Sequence, residues 1–207
     1  MEIEKIVSGP IDNNTYIIFS DNKAAVIDPS FDTIELIKKY LQKNNLKLEK
    51  ILLTHSHWDH IAGVKALLDE FDLDVYIHIL DSQNLIRPGS DNIPLFYKVE
   101  GSKPTHFIED NDIIDIGGIK LKVIHTPGHT RGGVCFYNVN EKILFSGDTL
   151  FNGSYGRVDL PTSNASDMVK SLKKLSALPK ETQVFPGHGK KTTIQKESWL
   201  VKIEEFI

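Results

Sequence analysis

THSHWDH, residues 54–60, places three imidazoles and a carboxylate within a few positions of one another. A solvated polar loop gains nothing from histidines spaced two and three apart with an aspartate just before the last. A metal ion does. The run before it, KILLT, is short and continuously apolar, which reads as a buried strand. Downstream, HIAGVKALLDEF reads as a helix that begins at the cluster. Residues two apart on an extended segment point the same way, so His55 and His57 can grip one ion. Asp59 and His60 lie at the helix start, turned elsewhere, and suit a second ion.

Three more polar residues follow apolar strands further along the chain. His129 lies in TPGHT after LKVIH, Asp148 in SGDT after ILF, and His188 in PGHG after VF. If those strands run side by side, all four places converge on one edge of the fold. The tight PG turns let the backbone bend sharply and aim His129 and His188 inward. Zinc is usually four-coordinate, and a bridging Asp148 gives each of two divalent ions four protein ligands. One set is His55, His57, His129 and Asp148; the other is Asp59, His60, His188 and Asp148. No thiolate is among them, so zinc is the first choice, with iron and manganese open. His78 and His106 read as structural, His125 as a core residue or one behind the ligands, and Cys135 as packed.

Across the 207 residues, 40% are apolar and 25% charged, ordinary for a globular protein, and a single domain over 1–207 is expected. A net charge of −4 gives no basic surface for nucleic acid or an anionic membrane. One cysteine excludes an intrachain disulfide and fits a reducing compartment. The opening MEIEKIVSGP lacks a basic-then-apolar leader, and no apolar stretch is long enough to span a bilayer, so a cytoplasmic protein is expected. TYIIFS and AAVID read as a hairpin, and DTIELIKKYLQKNN as a helix with Asp32 and Glu35 as its capping box. DVYIHI, THFIE, DIIDI, IKLKVIHT, GGVCFYNV and KILFSGD read as strands, 165–177 as a helix, and the chain from about 192 as amphipathic. Residues 87–104 show no period and are a candidate lid carrying Phe96 and Tyr97. The order hairpin, aspartate, helix, apolar strand, histidine occurs twice, from TYIIFS to THSH and from GGVCFY to PGHG. Two such halves would each form a sheet with helices on one side, and stacking the sheets would bury their inner faces.

Taken together, THSHWDH, TPGHT, SGDTLF and PGHG resemble the ordered motifs of the metallo-β-lactamase superfamily, and within it the short glyoxalase II-like hydrolases. The likeness spans 54–188 and, through the flanking pattern, nearly the whole chain. It is specific for fold and dinuclear site, much less so for substrate. It implies an α+β fold, an αββα four-layer sandwich of two stacked mixed sheets flanked by helices, with metals at one edge and the same two ligand sets. Asp28, in VIDPS, matches a position where the family often has an aspartate near the site, orienting a ligand. Asp148 stands where many true β-lactamases of this fold have cysteine or serine, and His57 where the oxygen-reducing diiron branch has glutamate. The large insertions of the RNA-cleaving members are missing. GDTLFNGSYGRVDLPT looks like the segment after the bridging aspartate in glyoxalase II-like enzymes, which implies a basic residue, Arg157, near the substrate; its guanidinium forks onto planar anions and suits a substrate carboxylate, and Tyr155 and Trp58 are candidates for lining the mouth. Asp159 stands where full-length glyoxalase II has tyrosine, and the helical C-terminal region that helps bind glutathione is not seen.

The expected activity is hydrolysis of S-D-lactoylglutathione or a related small thioester by water activated between the two ions, with Asp59 orienting the nucleophile or accepting its proton. A thiolate, whose parent thiol has a pKa of about 8.5, leaves without a strong general acid. The alternatives are a mononuclear iron persulfide dioxygenase, a lactonase or phosphodiesterase of the same fold, and a non-catalytic metal-binding module. No nucleic-acid or membrane partner is expected, and the oligomeric state is open.

Overall fold

A computed structural model describes residues 1–205. The first half runs β1 (Glu2–Ser8), β2 (Asn13–Ser20), β3 (Lys23–Ile27), α1 (Ile34–Asn44), β4 (Lys47–Leu52), α2 (Trp58–Ile61), α3 (Val64–Glu70), β5 (Asp74–His78), α4 (Ser82–Ile86) and β6 (His106–Ile108). Its six strands form one sheet in sequence order, antiparallel from β1 to β3 and parallel from β3 to β6. The second half runs β7 (Ile113–Ile116), β8 (Ile119–His125), β9 (Val134–Asn138), β10 (Ile143–Gly147), β11 (Leu150–Phe151), β12 (Ser154–Tyr155), α5 (Ala165–Ser176), β13 (Gln183–Pro186) and β14 (Thr192–Thr193). A 3-10 segment over Ser198–Glu205 closes the described chain. The second sheet has the order β14-β13-β10-β9-β8-β7, and β11 with β12 makes a separate small hairpin.

Period-two alternation along the central strands sorts their side chains into three apolar layers. Tyr16, Ile18, Ala25, Ile27 and Leu52 face Val123, Phe136 and Phe145 of the second sheet. Their neighbours Ile17, Phe19, Val26 and Ile51 face the other way, onto Ile37 and Leu41 of α1 and Val64 and Leu67 of α3. On the far side, Cys135, Tyr137, Leu144 and Val184 meet Met168, Leu172 and Leu175 of α5, with Leu200 and Ile203. Strands buried on both faces read as unbroken apolar runs, which is why these stretches lack alternation in sequence. The result is the αββα four-layer sandwich of class α+β.

The repeated pattern is a repeated topology. An antiparallel hairpin, β2–β3, is followed by α1 and a strand parallel to β3; the hairpin β9–β10 is followed by α5 and a strand parallel to β10. Both crossovers return at the same edge, where His55 and His188 follow their strands.

Four local expectations change. Thr33, not Asp32, is the N-cap of α1; no side chain caps the helix, Asp32 has φ of 58°, and Thr33 Oγ1 instead donates to the Ser30 carbonyl at 2.7 Å. The helix after the histidine cluster is broken into α2 and α3, because the Gly63 amide leaves the helical ladder to bond the Pro29 carbonyl at 2.8 Å. The edge strand β1 was not foreseen: only Ile6 of its seven residues is buried, so it carries almost no apolar signal. The amphipathic segment from 192 contains β14 and the 3-10 turns, and its last two residues lie outside the described chain. Among the described residues no helix is long and apolar enough to cross a membrane.

Candidate metal centre

Every one of the seven residues reaches one edge of the sandwich. The ring centroids of His55 and His60 are 4.0 Å apart, those of His57 and His129 4.4 Å, and those of His60 and His188 5.4 Å. Asp148 lies among them, Oδ1 3.4 Å from His60 Nε2 and Oδ2 3.5 and 3.6 Å from Nε2 of His129 and His188. Asp59 Oδ2 is 3.2 Å from Nε2 of both His60 and His188. Ligand-type atoms of His55, His57 and His129 fall within 4.8 Å of one another, as do those of Asp59, His60 and His188.

Four of the five imidazoles are held from behind at Nδ1. His129 and His188 donate Nδ1–H to the carbonyls of Arg157 at 2.9 Å and Ile11 at 3.1 Å. Asp28 steers the other two. His60 Nδ1 sits 2.9 Å from its Oδ2, to which Thr54 Oγ1 donates at 2.6 Å, and that hydroxyl is 3.0 Å from His55 Nδ1. The Thr54 amide donates to the other oxygen at 2.8 Å. Asp28, His55 and His60 also form a potential ligand triad, but with both Asp28 oxygens engaged this way the carboxylate acts through the imidazoles.

What this leaves over is informative. Nε2 of His55, His57, His60 and His129, and Oδ1 of Asp148, are buried with no hydrogen-bond partner. Each such orphan costs about 1–3 kcal/mol, and five converging at one place fit a pair of bound cations. The titration behaviour agrees. Burial and neighbouring imidazoles push His55 well below the usual histidine range and His57 down to about 3, so both stay neutral and ligand-ready. Burial acts to raise the carboxyls of Asp59 and Asp148, yet His60 and, for Asp59, the hydrogen bond from His188 hold both below the usual carboxylate range. Against its own burial, His60 is pushed well up by Asp59, Asp148 and Asp28; His188 is raised chiefly by Asp59. Cation binding therefore displaces protons from these two rings.

Close backbone approach completes the cluster. A Cβ on Gly187 would lie 2.3 Å from Asp148 Oδ1 and 2.7 Å from the His60 ring, so the residue before His188 has no room for a side chain.

The outlying candidates land elsewhere. Arg157 is exposed, and its Nε and Nη2 both donate to Asp159 at 2.9 Å; its carbonyl orients His129. Tyr155 packs toward Trp199, centroids 6.1 Å apart, in the layer beneath α5. Trp58 joins Phe31 and Tyr97 in an aromatic trio with centroids 5.5–5.8 Å apart, which ties segment 87–104 to the start of α2 while Phe96 stays 77% exposed. His125 is neither core nor behind a ligand: it stacks on His78 at 4.3 Å and bonds the Arg131 carbonyl through Nε2 at 3.0 Å. His106 stacks on Tyr76 at 4.4 Å. Cys135 is buried, its thiol pushed up to about 11.

Three supporting residues escaped the sequence reading. Thr54 relays Asp28 to His55. Asn13 Nδ2 donates to Asp59 Oδ2 at 3.2 Å. Asp81 is buried and accepts from the Ser56 amide at 3.0 Å and the Gly132 amide at 2.6 Å, clamping the His55–His57 loop to the loop after His129. For Asn13 the available signal is the polar run DNNT before an apolar strand, whose Asn13, Asn14 and Thr15 are almost wholly buried; Thr54 and Asp81 carry none.

Two expectations follow. Asp28→Asn should lower metal affinity by roughly 10–100-fold, because the amide NH2 replaces one acceptor needed by His60 and Thr54; competitive chelator titration measures it, and an unchanged affinity would remove Asp28 from this role. The second concerns pH. Burial and then His125 push His78 down to about 4, whereas an unfolded histidine titrates near 6.5. Between those values the unfolded chain binds the extra proton. The contribution is therefore complete above pH ~6.5 and is lost as pH falls toward ~4. Urea denaturation at a series of pH values should show His78→Gln flattening that acid limb.

The family profile described as the metallo-beta-lactamase superfamily matches residues 8–188. The chain belongs to that superfamily. Among members with known structures it is similar to one described as the BLEG-1 B3 metallo-beta-lactamase, 37% identical, with a TM-score of 0.88 over 96% of this chain and 99% of that one. It is also similar to TTHA1623 in a di-iron-bound form, 35% identical, TM-score 0.82, over 94% and 96% of the two chains. A hydroxyacylglutathione hydrolase of Francisella philomiragia is 35% identical over 91% of this chain and 68% of its own length. Superfamily membership and the convergent histidine–aspartate groups support a metal-dependent hydrolase with a dinuclear site.

Proposed function

We propose that this superfamily member is a thioesterase of the glyoxalase II type, cleaving S-D-lactoylglutathione or a related acyl thiol in the cytoplasm. The observation that carries this reading is the geometry of the cluster: five imidazoles and the carboxylates of Asp59 and Asp148 converge at one edge, so as ligands all seven would be taken up by the ions and none is left over to give a proton to a departing group. A thiolate departs without one; an amide nitrogen does not. The similarity to a hydroxyacylglutathione hydrolase points the same way.

His55, His57, His129 and Asp148 would hold one ion, and Asp59, His60, His188 and Asp148 the other. The nitrogen and oxygen donors suit zinc, which we take first, and iron, which the di-iron neighbour favours, with manganese third. Such ions, when bound, supply a water acidified to a pKa of about 7 and a Lewis acid for the carbonyl oxygen. Asp59, turned by Asn13, orients the attacking water or accepts its proton. Asp28 and Thr54 keep His55 and His60 aimed inward through the cycle.

β-Lactam hydrolysis is the second reading, favoured by the likeness to BLEG-1. Steady-state rates of zinc-, iron- and manganese-loaded protein on S-D-lactoylglutathione, other acyl thiols and nitrocefin separate the two. The expected result is a kcat/KM for the best thioester far above that for nitrocefin, with no oxygen uptake on glutathione persulfide. Thioesters left intact by all three metal forms would overturn the proposal.

A further inference from the structure

We propose that Asn14 is the positioning residue of His188: its carboxamide sets the turn that aims this ring and thereby the affinity of the second ion. This rests on the dinuclear reading above and is independent of the substrate. His188 differs from the other four imidazoles of the cluster. They are buried, whereas 23% of its side chain is exposed. Packing locks a buried ring; one open on a side depends on its backbone and on hydrogen bonds from behind. The ring sits on the turn PGHG after β13, in the second sheet. That turn is tied across the sandwich to the start of β2, in the first.

Asn14 stands at the centre of that tie and is 1% exposed. Its Nδ2 donates to the carbonyls of Pro186 at 2.9 Å and Gly189 at 3.0 Å, one on each side of His188. Its backbone amide donates to the Gly187 carbonyl at 2.7 Å. The carboxamide has one workable orientation, because carbonyls only accept, and Lys5 Nζ, which only donates, lies 3.3 Å from Oδ1. Aspartate offers neither N–H, and glutamine carries the group one methylene further. The neighbours of Asn14 reinforce the aim. The Ile11 carbonyl takes His188 Nδ1–H, the Tyr16 hydroxyl donates to the Pro186 carbonyl at 2.7 Å, and Asn13 forms a bridge with His188 while its amide reaches Asp59. Asp59 and His188, two ligands found in the second set alone, are thus both referenced to residues 11–16. The first set is held elsewhere: His55 by Thr54, His129 by the Arg157 carbonyl, and His57 by packing on its neighbours.

Two substitutions test this without turnover. Asn14→Asp keeps the shape and deletes both donors; Asn14→Ala deletes the group without burying a charge. The alanine variant should fold, since the Pro186 carbonyl keeps the Tyr16 hydroxyl and the exposed Gly189 carbonyl is met by water. Metal-free protein is titrated with cobalt against a competing chelator and followed by its d–d absorption. Wild type should take two equivalents. In both variants one ion should bind roughly 10–100-fold more weakly, with the other unchanged. At one equivalent of cobalt the variants should give the spectrum of His188→Ala, in which the first site is filled, and not that of His57→Ala. Wild-type affinity for both ions would overturn the role. An equal weakening of both ions, a spectrum matching His57→Ala, or an alanine variant that does not fold would also overturn it, because Asn14 would then support the sandwich and not the ring. Fewer than two equivalents in wild type removes the two-set partition along with it. The thioesterase reading stands or falls separately, on whether thioesters are cleaved.

Discussion

Asp148→Asn should abolish nearly all turnover and leave the protein with fewer than two tightly bound ions per chain. The carboxylate lies within 3.6 Å of Nε2 on His60, His129 and His188, so it reaches imidazoles of both halves of the cluster. Its Oδ1 is buried without a partner, and the neighbouring His60 keeps it ionised against the cost of burial. An amide of the same shape removes the negative charge and turns one acceptor into a donor facing imidazole nitrogens that must accept a cation. Activity should fall by several orders of magnitude, read as kcat/KM at saturating metal. The folded state should persist, since no strand or helix depends on this carboxylate. Full activity with normal metal content would contradict the bridging role.

His57→Ala should also remove several orders of magnitude of turnover, with the fold intact. The ring is held by packing, with His129 at 4.4 Å and His55 at 4.8 Å, and its Nε2 has no hydrogen-bond partner to lose. In the proposed partition, what disappears is one of the three imidazoles that, with Asp148, would complete a four-ligand set. Zinc bound by three protein ligands is still held, but the ion gains an extra open position and its affinity drops. Chelator titration should therefore show one weakened ion and one nearly normal. Circular dichroism and the urea midpoint of metal-free protein should match wild type. An equal loss of both ions would mean that His57 serves the whole cluster, and the two-set partition would fail.

Much of this site was legible in the chain because its chemistry sits where apolar strands end. ILLT before His55, the Val123–Ile124 pair before His129 and ILF before Asp148 are buried, and their shared direction in two stacked sheets brings the following residues to one edge. The duplicated order of hairpin, crossover and strand was legible for the same reason. The supports were not. Thr54, Asn13 and Asp81 act through one or two hydrogen bonds each to residues 25 to 51 positions distant, or, for Thr54, also to its neighbour His55. A lone polar residue carries no period that announces such a partner. Arg157, whose place after SGDTLF suggests a substrate anchor, pairs at the surface with Asp159 two residues on, a contact that chain position alone does not decide. The α2–α3 break escaped because the apolar spacing continues across Gly63, while the amide that leaves the ladder does so for a carbonyl on another segment.

The most direct measurement is the metal content of purified protein after loading with zinc or iron and exhaustive removal of loose ions. Two equivalents per chain, lost together with activity on chelation and falling in Asp148→Asn, is the predicted result. A protein that retains one equivalent or none, and turns over substrate regardless, would contradict the account.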